Sequence, residues 1–300
     1  SPRMRNIPLS TAALMAGLGM SLGASAQPQI MFYGQLDSYV EVFDNGEKTT
    51  ARVSSGGANG SFFGLRGSEE LGNGLRAVFR LEGGFLSDDG TLTESSQHLF
   101  SRMAYLGLAG KAGQISVGRQ HTPLFMTVAA GRPVGMSIGN PVSYFFVPKG
   151  INGGNAEDRF ARRDNSIQYE TPRGSGLQGT AFVALGEKLE SNRIGNVYSL
   201  GLSYQKGPIE VRASYLREET TWIANNTDRY LALSASYELG FIKPAAILVK
   251  RSGSAAQAQD IDYWQMGASI PLIGGQLITN VGFLSNDTLA DSNAMAWGMR

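Results

Sequence analysis

The feature that most constrains this chain is a two-residue alternation of apolar and small polar side chains, which returns many times along the sequence. In residues 198–205, Tyr, Leu, Leu and Tyr alternate with Ser, Gly, Ser and Gln. The same pattern occupies residues 231–238 and 263–270. Because successive side chains of a β-strand point to opposite faces, this period predicts strands rather than helices.

The polar face of these strands indicates what surrounds them. In a soluble β-sandwich that face meets water and carries many Lys and Glu, whereas here it is mostly Ser, Gly, Gln and Thr. Many segments also carry an aromatic residue at one end, and the apolar face of residues 198–205 has one at each end, Tyr198 and Tyr204. Alternating segments of about ten residues with aromatic ends are typical of a transmembrane antiparallel β-barrel, apolar toward lipid and polar toward a wet lumen. The bilayer requires such a sheet to close, because an open edge would leave unpaired amides in hydrocarbon. The predicted fold class is therefore all-β.

The composition excludes several other classes of protein. Cysteine is absent, so disulfide frameworks, thiolate metal sites and cysteine catalysis are excluded. The 26 basic and 25 acidic residues give a formal charge of +1, which offers no electrostatic reason to expect a nucleic-acid partner. Beyond the N-terminus, no apolar run reaches the length of about 18 residues that a membrane-spanning helix needs.

The N-terminus has the three regions of a secretory signal. Arg3 and Arg5 precede an apolar stretch over residues 9–22, and the small residues Ala24, Ser25 and Ala26 follow it. This order predicts a signal peptide over residues 1–26 with cleavage after Ala26. The exported chain, residues 27–300, is then expected to be the barrel.

Alternation and turn residues together predict fourteen strands. Short turns rich in Gly or Pro alternate with longer polar loops, as expected for the two ends of an outer-membrane barrel. The last strand ends without a turn or a terminal aromatic residue, so we expect the natural chain to continue by one hairpin to a total of sixteen strands. The predicted strands are residues 29–43, 61–68, 75–86, 99–109, 114–120, 162–171, 177–187, 195–206, 209–218, 229–239, 241–251, 261–270, 276–285 and 293–300.

One connection is much longer than the others. Residues 121–160 show no clear alternation, and a connection of this length is usually functional or disordered. The segment holds many apolar residues, Phe125, Val128 and Phe146 among them, which argues against disorder. We expect this third long loop to fold inward against the barrel wall and to narrow the lumen. An ordinary surface loop is the alternative.

Four sequence blocks carry a family resemblance. They are residues 61–79 (SFFGLRGSEELGNGLRAVF), 102–108 (RMAYLGL), 118–124 (GRQHTPL) and 164–172 (DNSIQYETP). The chain resembles the trimeric porins of Gram-negative outer membranes, of the beta-proteobacterial and neisserial type. The resemblance implies a sixteen-stranded, homotrimeric barrel in the outer membrane, in contact with its lipid, with an inward third loop and basic residues on the facing wall. It also implies a water-filled channel for passive diffusion of small hydrophilic solutes and ions. The family often has a basic residue at the positions of Phe62 and Gln168, so part of that positive charge is missing here.

Strand parity selects the candidate pore-lining residues. If Leu65 faces lipid, Arg66 faces the lumen, and if Tyr105 faces lipid, Arg102 faces the lumen. An arginine turned to lipid at the bilayer midplane would cost about 2 to 4 kcal/mol, which favours the inward orientation. Parity leaves Arg119 outward, at a subunit contact or bent into the loop. The predicted pore-lining residues are Arg66, Arg76, Arg80, Glu82, Arg102, Arg132, Lys149, Arg162 and Asp164.

The charges of the loop and wall predict an ion preference. Residues 122–155 include Arg132 and Lys149 but no Asp or Glu, so the loop supplies no negative side to a constriction. Together with the wall arginines this predicts a moderate preference for anions. The alternative is that the arginines only pair with Glu82 or Asp164 and leave ion entry unbiased.

Catalytic and cofactor patterns are weak. Residues 135–139 match the spacing of a nucleophile elbow, but His98 and His121 both precede it, whereas the elbow needs a later histidine. No phosphate-binding Gly-Lys-Ser/Thr motif and no paired histidine ligands occur. We therefore expect no enzyme activity, cofactor or metal. A barrel that serves as an adhesin or structural anchor without transport remains the alternative function.

Overall fold

The structure is a computed structural model that describes residues 29–44, 46–57, 59–93, 98–133, 161–186, 195–219, 227–253, 260–286 and 293–299. The predicted signal peptide lies outside these residues. Within them, no helix is long and apolar enough to span a membrane. Apart from one short helix, α1 (Pro123–Ala130), the regular secondary structure of the described residues is β-strand.

The strands follow each other along the chain with few other elements between them. In chain order they are β1 (Gln29–Gln35), β2 (Ser38–Asp44), β3 (Thr49–Ser55), β4 (Phe62–Gly72), β5 (Leu75–Gly84), β6 (Met103–Gly110), β7 (Gly113–His121), β8 (Arg162–Glu170), β9 (Leu177–Ala184), β10 (Val197–Lys206), β11 (Ile209–Glu219), β12 (Thr227–Tyr237), β13 (Lys243–Gly253), β14 (Ile261–Leu272), β15 (Gly275–Asn286) and β16 (Ala294–Met299).

Fourteen of these strands form one antiparallel sheet, and this confirms the predicted all-β class and strand count. The order in the sheet is β1, β4 and then β5 through β16, so that neighbours in the sheet are neighbours along the chain except at the first step. β1 and β16 are the two edges of the sheet in the described residues. Each predicted strand overlaps one strand of this sheet.

The first predicted strand, residues 29–43, is wrong in its extent. The chain leaves the sheet at Leu36 and Asp37, and β2 pairs with β3 in a separate hairpin. The cause is visible at Asp37, whose carboxylate and carbonyl accept from the amides of Asn59 and Gly56 at 2.9 and 3.1 Å. In the hairpin itself, hydrogen bonds from Arg52 and Ser54 hold the pKa of Glu41 below its usual range.

The two ends of the sheet differ, as predicted. At one end, called the turn end, neighbouring strands are joined by short connections such as Asn73 and Gly74 between β4 and β5. Both of these residues have positive φ, 53° and 75°, which is the conformation that the Asn-Gly pair supplies in two-residue hairpins. At the opposite end, called the loop end, the connections are long. In outer-membrane barrels the short turns are periplasmic and the long loops extracellular.

The beginning of the long third loop lies against one face of the sheet, called the inner face. Thr122 caps α1 by accepting a hydrogen bond from the amide of Phe125 at 3.1 Å. Leu124 and Val128, both fully buried, pack in a cluster with side chains of β9 to β14, including Phe182 and Leu216. Gly201 of β10 makes the close approach possible, because a Cβ there would lie 2.9 Å from Cβ of Pro123. The loop therefore starts inward, as expected, and its remainder, with Lys149, lies outside the described residues.

The other face of the sheet, called the outer face, is a broad apolar surface. It carries most of the apolar side chains that alternation assigned to lipid, and many of these are exposed. Exposed examples from separate strands are Leu200, Leu231 and Met266. An exposed apolar surface this extensive is unusual for a soluble protein and is what contact with lipid requires.

Candidate pore wall

The register of the first four strands of the sheet gathers charged side chains into adjacent rows. Residues opposite each other on antiparallel strands lie on the same face. Gly64 is opposite Glu82, and Arg66 is opposite Arg80. The register of the strands that follow continues this face to β10 through β13, where it is the inner face covered by α1. Arg66, Arg80 and Glu82 therefore share a face with the loop helix.

Glu82 is the centre of this group. Its side chain is 1% exposed and accepts hydrogen bonds from the Tyr33 hydroxyl and from Nε of Arg80, the latter at 2.7 Å. Arg102 approaches the second carboxylate oxygen with its Nε at 3.4 Å. Gly64 leaves room for the carboxylate, because a Cβ there would lie 3.0 Å from Cγ of Glu82. One buried carboxylate thus serves two guanidinium groups.

Arg66 lies beside this group without a carboxylate of its own. Its guanidinium carbon is 4.9 Å from the ring centre of Tyr33, and Nη2 is 3.2 Å from the sulfur of Met31. In the part of the chain that the structure describes, no acidic side chain pairs with Arg66. Its side chain is exposed. The guanidinium group of Arg66 therefore contacts an aromatic ring, and its charge stays exposed on the inner face.

Arg76 is placed apart from the other wall arginines. It lies near the turn end, opposite Glu70, and its Nε is 3.6 Å from that carboxylate. Both side chains are about half exposed, at 49% and 52%. Arg76 shares the inner face but not the group around Glu82.

Arg102 reaches Glu82 for a reason different from the predicted one. The parity argument placed Tyr105 outward, and this is wrong: Tyr105 is opposite Arg80 on the inner face, while Leu106 and Leu108 face outward. β6 begins only at Met103, so the alternation does not extend back to Arg102. Arg102 lies just before the strand, with its guanidinium carbon 4.5 Å from the ring centre of Phe62.

An irregularity between β7 and β8 reverses the predicted orientation of Asp164. The register shifts between Gly118 and Gln120, and Asn165 adopts a positive φ of 52°. Arg163 is consequently opposite Gln120 on the inner face, and Asp164 turns to the other side. There Asp164 is more than half exposed and pairs with Nη1 of Arg119 at 2.9 Å. Asp164 is thus not brought to the group around Glu82.

The same irregularity settles where Arg119 lies. Its Nε donates to the carbonyl of Ser101 at 2.5 Å, and its side chain is only 11% exposed. Arg163, which parity did not select, instead reaches across to Glu218 of β11 at 2.8 Å. Asn165 is the signal that could have revealed the break, because Asn adopts positive φ more readily than most residues.

Arg132 and Arg162 lie at the base of the loop helix. Their guanidinium carbons are 5.5 and 6.0 Å from the ring centre of Phe125, against which His121 also stacks at 4.5 Å. Each arginine is only 8% exposed. These two predicted residues are therefore close together, but they contact the buried root of the loop more than the open space in front of the wall.

Tyr33 and Glu218 are wall residues that the sequence did not single out. Tyr33 bridges the group, since its hydroxyl accepts from Nε of Arg80 at 2.8 Å while donating to Glu82. Its neighbours Met31 and Gln35 share its face, so extending parity to β1 would have found it. The ion pair of Glu218 with Arg163 could not be found this way, because Arg163 faces inward only through the β8 irregularity.

Known proteins match this chain over most of its length. A family model described as Gram-negative porin matches residues 10–299. An outer membrane porin protein of Bordetella pertussis is 30% identical over 296 residues, which cover 88% of this chain and 72% of that protein. Outer membrane porin protein 32 of Delftia acidovorans is 30% identical over 272 residues, covering 87% and 75%.

A solved structure agrees in fold. The anion-selective porin from Comamonas acidovorans superposes with a TM-score of 0.78 at 23% identity, over 91% of this chain and 83% of that one. At this identity the likeness concerns the arrangement of the strands. The family model over nearly the whole chain and the two relatives at 30% identity confirm the family that the four sequence blocks suggested, with its place in the outer membrane. This chain belongs to the Gram-negative porin family.

Proposed function

We propose that this porin forms a passive, anion-preferring channel for small hydrophilic solutes and inorganic ions, and that it works as a homotrimer. The observation that carries the ion preference is the charge balance around Glu82. Two guanidinium groups, those of Arg80 and Arg102, share the single carboxylate of Glu82, and a third, that of Arg66, contacts the ring of Tyr33 beside them. The group therefore has a positive surplus on the inner face.

The strength of the bias follows from Coulomb's law in a partly hydrated space. A unit charge at 4 Å contributes about 1 kcal/mol in water and about 4 kcal/mol at an effective dielectric constant near 20. The side chains of Arg80 and Arg102 are 35% and 24% exposed, so their charges lie between these two surroundings. Even one uncompensated guanidinium is enough to favour anions over cations several-fold.

Three other arginines of the described inner face are each paired with one acid. Arg163 pairs with Glu218, Arg251 with Asp228 at 3.1 Å, and Arg212 with Glu210 at 2.8 Å. Such one-to-one pairs leave little net field. This contrast supports the Glu82 group as the source of selectivity.

The test is a reversal potential in planar bilayers that separate two potassium chloride concentrations. We expect a potential of the sign that chloride permeation gives, and conductance steps that come in threes. A channel that favours potassium would overturn the anion preference. Folded trimer without any conductance would favour an adhesin or anchor instead.

A further inference from the structure

The outer face carries a groove that the channel function does not explain. It has a volume of about 600 Å³ and crosses β8 to β11. Its floor includes Ala181 and Val183 of β9, and larger side chains of the neighbouring strands stand on both sides, Ile167 and Tyr169 on one and Leu200 on the other. The small side chains of β9 between these ridges create the depression.

A pair of arginines lies at the loop end of this groove. Arg217 lines it, and Arg229 is directly opposite Arg217 on the next strand. Such opposite residues have their Cβ atoms about 5 Å apart, and like charges in this position repel. Nη2 of Arg217 donates a hydrogen bond to the carboxylate of Glu219 at 2.6 Å. The buried Nε of Arg217 has no acceptor in the described residues. Arg229 is exposed and forms no ion pair with any residue that the structure describes.

We propose that this groove binds a phosphorylated lipid of the outer leaflet, with an acyl chain along β9 and a phosphate between Arg217 and Arg229. A phosphate accepts paired hydrogen bonds from guanidinium groups and would remove the repulsion between them. The loop end is the extracellular end of such barrels, where outer-leaflet head groups lie. The groove is mostly apolar and opens on the surface that faces hydrocarbon, which fits an acyl chain rather than a water-soluble ligand.

The first test is lipid binding by the folded full chain in detergent, measured by native mass spectrometry. The probes are diphosphoryl lipid A, its dephosphorylated form and inorganic phosphate. We expect retention of diphosphoryl lipid A and at least a tenfold weaker affinity for the dephosphorylated form. Equal retention of both lipids would overturn the phosphate assignment. Binding of inorganic phosphate as tight as that of the lipid would overturn the lipid assignment.

The arginines are tested by the double substitution R217Q/R229Q. Lys206→Gln is the matched control, because Lys206 is exposed on the same outer face but at the turn end. The double variant should lose at least tenfold in affinity for diphosphoryl lipid A and the control should lose nothing. Channel conductance, which these outward side chains do not line, should stay at the wild-type value and so reports correct folding. Undiminished lipid binding by a conducting double variant would contradict the proposal.

The groove is tested by Ala181→Trp, which fills its floor on a surface where a larger apolar side chain meets only lipid. Affinity for diphosphoryl lipid A should fall several-fold while the trimer stays intact. If the trimer dissociates instead, the groove is a contact between subunits and the lipid assignment is wrong. Unchanged affinity would equally exclude the groove as the acyl-chain site.

Discussion

The carboxylate of Glu82 partly neutralises the charges of Arg80 and Arg102, although solvent hardly reaches it. The carboxylate is nearly fully buried, yet it accepts from Tyr33, Arg80 and Arg102. A buried carboxylate with several charged or polar donors is costly to replace, because its removal leaves the donors without an acceptor. Glu82 therefore fixes the positions of Arg80 and Arg102 and lowers the net positive charge of the group.

We expect Glu82→Gln to strengthen the anion preference. The substitution removes the one negative charge of the group and should move the reversal potential further in the chloride direction. It should also lower the free energy of unfolding by about 1 to 3 kcal/mol, as expected for lost hydrogen bonds to charged groups. Glu210→Gln is the control for the free energy of unfolding, since Glu210 serves the single residue Arg212 and its replacement should cost less. A shift toward potassium in Glu82→Gln would contradict the assignment.

Arg66→Gln should have the opposite effect on selectivity. Arg66 contacts the ring of Tyr33 and has no acidic partner in the described chain, so its whole charge contributes to the field. We expect a several-fold fall in the chloride-to-potassium permeability ratio, measured by reversal potential. Arg76→Gln, at the turn end and already opposite Glu70, should change the ratio much less. Equal effects of the two substitutions would show that position on the wall does not matter.

At the scale of single residues, the sequence predicted side-chain orientation only where alternation is uninterrupted. Arg66, Arg80 and Glu82 lie inside regular strands, and parity placed them correctly relative to each other. Asp164 was misplaced because of the register shift and the positive φ of Asn165, which depend on pairing between two strands. Tyr105 was misplaced because aromatic residues occur on both faces of a barrel.

At the scale of elements, α1 is held to the wall by close packing rather than by helix propensity. A helix this short is marginal alone, so burial of Leu124 and Val128 stabilises it. The apolar composition of the loop predicted its inward position, but the helix was not predicted from the sequence. The hairpin of β2 and β3 was likewise missed, because residues 29–43 alternate continuously while the chain leaves the sheet at Asp37.

We expect Gly201→Val to reduce single-channel conductance. A side chain at this position meets Pro123, so α1 must move away from the wall toward the lumen. Gly179→Ala is the control, because a Cβ there comes no closer than 3.5 Å to its neighbours. Both variants should be compared at one salt concentration. Unchanged conductance in a folded Gly201→Val protein would show that α1 does not narrow the channel.

At the scale of the whole molecule, the proposed selectivity should depend on ionic strength. The Debye length falls from about 10 Å at 0.1 M salt to about 3 Å at 1 M. We therefore expect the chloride preference to decline as the mean salt concentration rises at a fixed concentration ratio. Reversal potentials at three mean concentrations would measure this. A preference independent of salt would point to size exclusion rather than wall charge.

The order of the strands has a consequence for how the protein folds. From β4 onward each strand pairs with the next one along the chain, and only the pairing of β1 with β4 spans an intervening hairpin. Each new pairing in the sheet closes a loop between consecutive strands, and the entropic cost of closing a loop grows only slowly with its length. Folding speed increases with the share of contacts that are local in sequence. The sheet can therefore assemble hairpin by hairpin, without a long search for distant partners.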